Sequence, residues 1–161
     1  LYAQLTGWMK VEHKATGAHK DVTADSLTLG SGAAMTTFRE GDWTAGVRFN
    51  FGTTGITYGT RTCSYQVLNG VCTAFFDVTL TSKGSSTGTA TLSLPVSSTA
   101  YGVMSIGYFA TMNTITSLFG YVEANTSYAV FQTGAAGGST TVSDTEFQNA
   151  TRFIGVAIYP A

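Results

Sequence analysis

Two carboxylate pairs, two histidines, two cysteines and a set of tyrosines are the side chains with chemistry to offer in this sequence. Glu40 with Asp42, and Asp144 with Glu146, are each separated by a single residue. On a strand that spacing puts both acids on one face, and a pair of carboxyl groups is what glycosidic hydrolysis requires. Both pairs stand in polar, turn-like contexts without the burial that lifts a carboxyl's pKa, so turn and cap roles are favoured over hydrolysis. Glu12, His13 and His19 are of ligand type. Their spacing fits no standard zinc pattern and no cysteine lies near them, so they read as a solvated arm, and neither metal nor cofactor is expected. Ser105, in Val103-Met104-Ser105-Ile106-Gly107, lacks the preceding glycine of a nucleophile elbow. The glycine-rich stretch Gly134 to Gly138 lacks the lysine and following helix of a phosphate loop. No catalytic residue is expected, and the protein is read as a non-enzyme.

The aromatic residues suit a different chemistry. A sugar ring stacks on an aromatic face while acids, amides and hydroxyls fix its hydroxyl groups, a site built from few placed polar groups. Phe49, Phe51, Tyr65, Phe76 and Phe153 fall on apolar faces and are expected in the core. Trp43, Tyr58, Tyr101, Tyr121 and Tyr128 sit at strand ends or beside small polar residues, where amphipathic rings are exposed or interfacial. With Asp144 and Glu146 as the acids, they form the candidate ligand-binding set. A subunit interface is an equally good use for the rings.

The elements that must position these groups are strands. The chain has 161 residues, a length for one domain or one domain with an appendage, and contains 28 threonines, 14 serines and 19 glycines against two prolines. Threonine and aromatics suit pleated surfaces, and glycine and serine supply turns. Charged residues are only 11% of the chain, about half the usual share, and a domain with so few charges is better protected inside an oligomer. Net charge is −1 with a pI near 6.1, so no basic face is available for a phosphate backbone and nucleic-acid binding is excluded. No apolar run approaches the roughly 18 to 20 residues of a membrane helix. The sequence starts at Leu1 without a methionine, and is read as a piece of something longer or a processed product.

Leu68-Asn69-Gly70-Val71 places an Asn-Gly pair between two alternating runs, a strong hairpin signal. A two-residue turn sets Leu68 opposite Val71, Val67 opposite Cys72, and Cys63 opposite Phe76. Cys63 and Cys72 then lie four residues apart along the strands, roughly 13 Å, beyond the roughly 7 Å that a disulfide spans, so both thiols are expected free and buried. Cys63, Tyr65 and Val67 share a face with Cys72, Ala74, Phe76, Val78 and Leu80. Further strands are expected at 47–51, 89–94, 104–110, 118–124, 128–133 and 153–159, with a loop over 134–139. Ser143 and Glu146 carry the spacing of a capping box and predict one helical turn to Ala150. About eight strands with frequent turns imply an all-β antiparallel sandwich, jelly-roll-like. Residues 1–40, which hold most of the lysines and both histidines, read as an arm with a brief alternation over 23–30. Residues 41–161 form the sandwich.

Gly55-Ile56-Thr57-Tyr58, Ser64-Tyr65 before the Asn-Gly turn, Val78-Thr79-Leu80-Thr81-Ser82-Lys83-Gly84 and Leu92-Ser93-Leu94-Pro95 follow one another in an order that resembles the C-terminal β-sandwich module of bacteriophage tail fibres and tailspikes. Asp42-Trp43 matches the tryptophan of that module's opening strand, and 21–27 looks like the linker to an upstream fibre shaft. The resemblance covers 41–98 well and the remainder only in style. Ser64 and Ser93 stand where family members often carry glycine. What the resemblance implies is a homotrimeric, non-enzymatic module at the tip of a virion fibre, binding host surface polysaccharide or lipopolysaccharide for attachment. The alternative within the same setting is a purely structural virion module, for trimerisation or capsid decoration, without a specific ligand. A secreted lectin or glycan-active enzyme from a cell is the third reading.

Overall fold

The computed structural model describes residues 38–161, and in them the chain is all-β and antiparallel throughout, as expected. The arm's histidines, its lysines and the alternation over 23–30 lie outside the described residues. Ten strands follow in order: β1 (Phe38–Asp42), β2 (Val47–Phe49), β3 (Ile56–Leu68), β4 (Val71–Lys83), β5 (Ala90–Ser93), β6 (Gly102–Met112), β7 (Phe119–Val122), β8 (Tyr128–Ala135), β9 (Gly138–Thr141) and β10 (Phe147–Pro160). They form one sheet in the order β1-β3-β4-β10-β6-β7-β8-β5-β2, with β9 beside β8. β1 runs across residue 41, where the sequence reading begins the sandwich.

The sheet curls until its two halves face each other. Phe49 on β2 packs edge-on against Phe147 on β10 with ring centroids 5.3 Å apart, and Phe131 on β8 meets Phe153 at 5.2 Å. A single hydrogen-bonded sheet thereby achieves the layered core of a sandwich. Irregularities at Tyr58 in the β3–β4 ladder and at Gly155 in the β10–β6 ladder supply the local twist that curling needs. A side chain at Gly155 would strike the Ser105 carbonyl and the Phe76 ring. The free edge at β2 is blunted by one phenol: Val47 N–H donates to the Tyr58 hydroxyl at 2.8 Å, and that hydroxyl donates to Val47 O at 3.4 Å.

The β3–β4 hairpin has the expected register, with Leu68 opposite Val71, Val67 opposite Cys72 and Cys63 opposite Phe76. Cys63 and Cys72 are free and buried, and burial pushes both thiols up. Asn69 and Gly70 have φ of 49° and 77°, the paired positive values of a type I′ turn. Two expectations change. The stretch over 134–139 is a second hairpin, β8 turning into β9 through Ala136 and Gly137, with Gly137 at φ 83°. The predicted helical turn after Ser143 does not form, although its hydrogen bonds do: Ser143 N–H donates to Glu146 Oε2 at 2.7 Å, and Thr145 N–H donates to Ser143 Oγ at 3.3 Å. Phe147 ends the turn because its ring, fully buried against Phe49, Phe131 and Phe153, must enter the core from a strand.

Candidate functional site

Alternation through Val47, Phe49 and Phe51 predicts three core residues, and the third is not one. Phe49 N–H donates to Gly52 O at 3.0 Å and Gly52 N–H donates to Phe49 O at 2.9 Å, so Asn50 and Phe51 are the two residues of a tight turn. Their φ values are 47° and 64°. The turn reverses the chain before Phe51 can reach the core, and its ring stands 59% exposed. Asparagine tolerates that left-handed conformation, whereas an ordinary side chain is disfavoured by about 1–2 kcal/mol. Such strain persists where the surroundings hold it, and marks positions worth a functional reading.

The surroundings are specific. Asn50 N–H donates to Thr89 O at 3.0 Å, and the Asn50 amide packs so closely on Gly88 that a side chain there would strike it. Gly88 N–H donates to Asp144 Oδ1 at 2.7 Å, and Asp144 N–H returns a bond to Gly88 O at 3.0 Å. Lys83 Nζ lies 3.4 Å from the other Asp144 oxygen. The Gly88 N–H, helped by Lys83, holds the Asp144 carboxyl below its usual range although burial opposes it.

Phe51 opens onto a cleft of about 300 Å³ lined by Asn50, Thr89, Thr91, Tyr121, Glu123, Tyr128, Val130 and Thr141 as well. Thr91, Val130 and Tyr121 are register partners across β5, β8 and β7, which puts them in one row on the sheet's outer face. The Phe51 and Tyr128 rings meet edge-to-face at 5.1 Å. The Tyr128 hydroxyl donates to Glu123 Oε2 at 2.7 Å, and that bond is the first cause of its raised pKa. Glu123 is itself anchored, its carbonyl accepting from Ser98 Oγ at 2.6 Å and Thr126 Oγ1 at 2.8 Å. Tyr101, 69% exposed, extends the aromatic surface from Tyr121 at 6.4 Å. Three rings, a carboxylate, a carboxamide and several hydroxyls thus share one open cleft, the inventory for stacking on and hydrogen-bonding a polyhydroxyl ligand.

The sequence-predicted set is divided by the fold. Tyr121 and Tyr128 line the cleft and Tyr101 adjoins it. Tyr58 is half-buried at the β2 edge, with the Arg61 guanidinium 4.2 Å over its ring. Trp43 donates from Nε1 to Phe75 O at 3.3 Å, on the β1–β3–β4 side. Asp144 braces the loop behind Asn50. The Glu146 carboxylate is engaged by Ser143 and Thr145; burial pushes its pKa up, but these bonds together hold it lower. Phe51, Glu123 and Asn50 were missed. The signal for the first was Asn50-Phe51-Gly52, an asparagine and a glycine that punctuate the alternation.

Two other surfaces stand out. Glu40 and Asp42 do share a face, opposite Gln66 and Ser64 in register, and with Tyr65 and Phe75 they line a broad cleft of about 350 Å³. Across the outer face of β4, β10 and β6, Val71, Phe75, Ile158, Val103 and Tyr108 are between 42% and 61% exposed. Ile158 lies opposite Val103 in register, so apolar side chains continue from strand to strand as a band.

No protein-family model matches the chain, and no curated protein sequence does. Among solved structures, the crystal structure of the Dettilon tailspike protein is similar, with a TM-score of 0.64 at 12% sequence identity. The match covers 76% of this chain and 24% of that one, so the chain corresponds to a small part of the tailspike's length. The two share a fold.

Proposed function

We propose that this chain is a phage tail-associated module that binds host surface carbohydrate through the Phe51–Tyr121–Tyr128 cleft and does not cleave it. The observation that carries the reading is Phe51, an exposed aromatic held in a strained backbone conformation beside Tyr128 and above Glu123. The ring meets Tyr128 edge-to-face, and more than half of its surface is left open for a ligand. The tailspike-like fold supports the phage setting. Binding without cleavage is supported, for the Asp144–Glu146 pair, by the occupation of both carboxylates in bracing turns. The test is binding of polysaccharide and lipopolysaccharide from candidate bacterial hosts to the intact chain and to Phe51→Ala and Tyr121→Ala. Binding by the parent, with at least about tenfold loss in each variant and an unchanged far-ultraviolet circular dichroism spectrum, is expected. Failure of the parent to bind any of them would sink the reading.

The purely structural alternative draws on the outer apolar band, which is larger in character than scattered surface hydrophobics and suits burial against further copies. The two roles are compatible, and a homotrimer at a virion tail is the assembly proposed. Light scattering of the intact chain at a mass near three times 16.9 kDa is the expected result. A trimer that persists after Val103→Asp, or a parent that is monomeric, would remove the band from consideration as an interface.

A further inference from the structure

We infer that the cleft accepts uncharged or amine-bearing sugar residues and excludes acidic ones, an inference that rests on the carbohydrate reading above and narrows its ligand class. The cleft's charge balance is one-sided. Among the described residues, Glu123 is the single ionisable carboxylate in its lining, and no cation lines it. The Glu123 carboxylate takes one neutral hydrogen bond, from Tyr128, and among the described residues it has no cationic partner.

No described cation lines the cleft. Lys83 pairs with Asp144, and Arg152 forms a two-pronged pair with Asp77 at 3.0 and 2.7 Å. Arg61 stacks on Tyr58, and both it and Arg48 act electrostatically on the Tyr58 hydroxyl. Arg39 lies on β1 and is not among the residues that line the cleft. Arg48 is the register partner of Thr91, yet it does not line the cleft.

A uronic, sialic or phosphorylated residue in this cleft would set its anion beside Glu123 with no described cation in the lining to receive it. A hydroxyl or an ammonium group instead finds the second carboxylate oxygen, and stacking on Phe51, Tyr121 or Tyr128 is indifferent to that choice. An ammonium gains further from the rings' negative faces. Like-charge repulsion at contact distance corresponds to about tenfold or more in affinity.

Glu123→Gln isolates the charge, because glutamine's carbonyl still accepts the Tyr128 hydroxyl. The experiment is a glycan array containing neutral, amine-bearing and acidic members, probed with the intact chain, Glu123→Gln and Glu123→Lys at low and moderate salt. The parent is expected to bind neutral or amine-bearing members only. Glu123→Gln should lose about tenfold more on amine-bearing hits than on neutral ones, whose hydroxyls can accept from the new amide, and Glu123→Lys should admit acidic members. Acidic members among the parent's best hits, or an unchanged charge preference in Glu123→Gln, would overturn the inference and leave carbohydrate binding standing. A silent array for the parent would overturn both.

Discussion

Two tight turns in this molecule share a geometry and differ in sequence. At Asn69-Gly70 the φ values are 49° and 77°; at Asn50-Phe51 they are 47° and 64°. The first turn uses the residue with no side chain to strain; it joins β3 to β4, and its Gly70 O accepts from Ala161 N–H at 2.7 Å. The second puts a phenylalanine where glycine belongs and projects its ring into solvent at the mouth of a cleft. Where a turn is only a connection, local chemistry and global fold agree. Where they disagree, the strain is held from outside, and the side chain that causes it is the one displayed.

What holds the strained turn is the ring cluster beneath it, so the largest effect is expected there. Phe147→Ala should cost about 3–5 kcal/mol, read as a shift in the denaturant midpoint, because Phe147 contacts Phe49, Phe131 and Phe153 together. A loss below about 1 kcal/mol would mean the turn is supported some other way. The two turns themselves then separate cleanly. Gly70→Ala should cost about 1–2 kcal/mol and leave ligand affinity alone. Phe51→Gly relieves a similar strain, offset by about 0.5–1 kcal/mol of glycine's unfolded-state entropy and by the lost contact with Tyr128. Its stability should hold or rise slightly while carbohydrate binding falls at least about tenfold. If Phe51→Gly instead unfolds the protein, Phe51 is a structural residue and the contrast between the turns disappears.

The same contrast explains what was legible in the sequence. Asn69-Gly70 announces its turn by composition, and the register, the buried stripe and the two separated thiols all follow from it. The all-β class follows from threonine, alternation and scarce charge. Phe51 was assigned to the core because period-two counting does not know that a strand stops at Phe49; the flanking Asn50 and Gly52 are the cue to a turn, and the reciprocal bonds between Phe49 and Gly52 show it. The hairpin at Ala136-Gly137 was hidden because its flanks, Gly134 and Gly138-Ser139, carry almost no side chain to alternate. Ser143 and Glu146 were read correctly as hydrogen-bonding partners and wrongly as a helix start, since the demand of Phe147 for the core lies outside the local motif. Of the candidate rings, Tyr121 and Tyr128 were named together with Tyr58 and Trp43. Nothing in sequence distance says that the first two meet Phe51, because β2 and β7 approach only through β5 and β8.

The smallest effect expected concerns the brace behind the strained turn. The Asp144 carboxyl is held below its ordinary value of 3.8, first by the Gly88 N–H and then by Lys83. A carboxyl lowered on folding stabilises the native state fully above its unfolded pKa, and that contribution fades as pH falls through the folded one. Asp77, lowered chiefly by its hydrogen bond from Arg152, acts in the same direction. Stability should therefore be level above about pH 5 and decline below about pH 4. Asp144→Asn keeps an acceptor for Gly88 N–H but surrenders the charge, so it should cost about 1 kcal/mol near neutral pH and show a shallower acid decline than the parent. Asp144 bonds Gly88 and Lys83, at the other end of the β3–β4 hairpin from Asn69-Gly70, so hydrogen exchange at the amides of that turn should be unchanged by the substitution, while Asn50 and the Gly88 loop exchange faster. A melting temperature that tracks pH identically in parent and Asp144→Asn would show that the carboxylate does not brace the turn, and that Phe51 owes its position to the ring cluster alone.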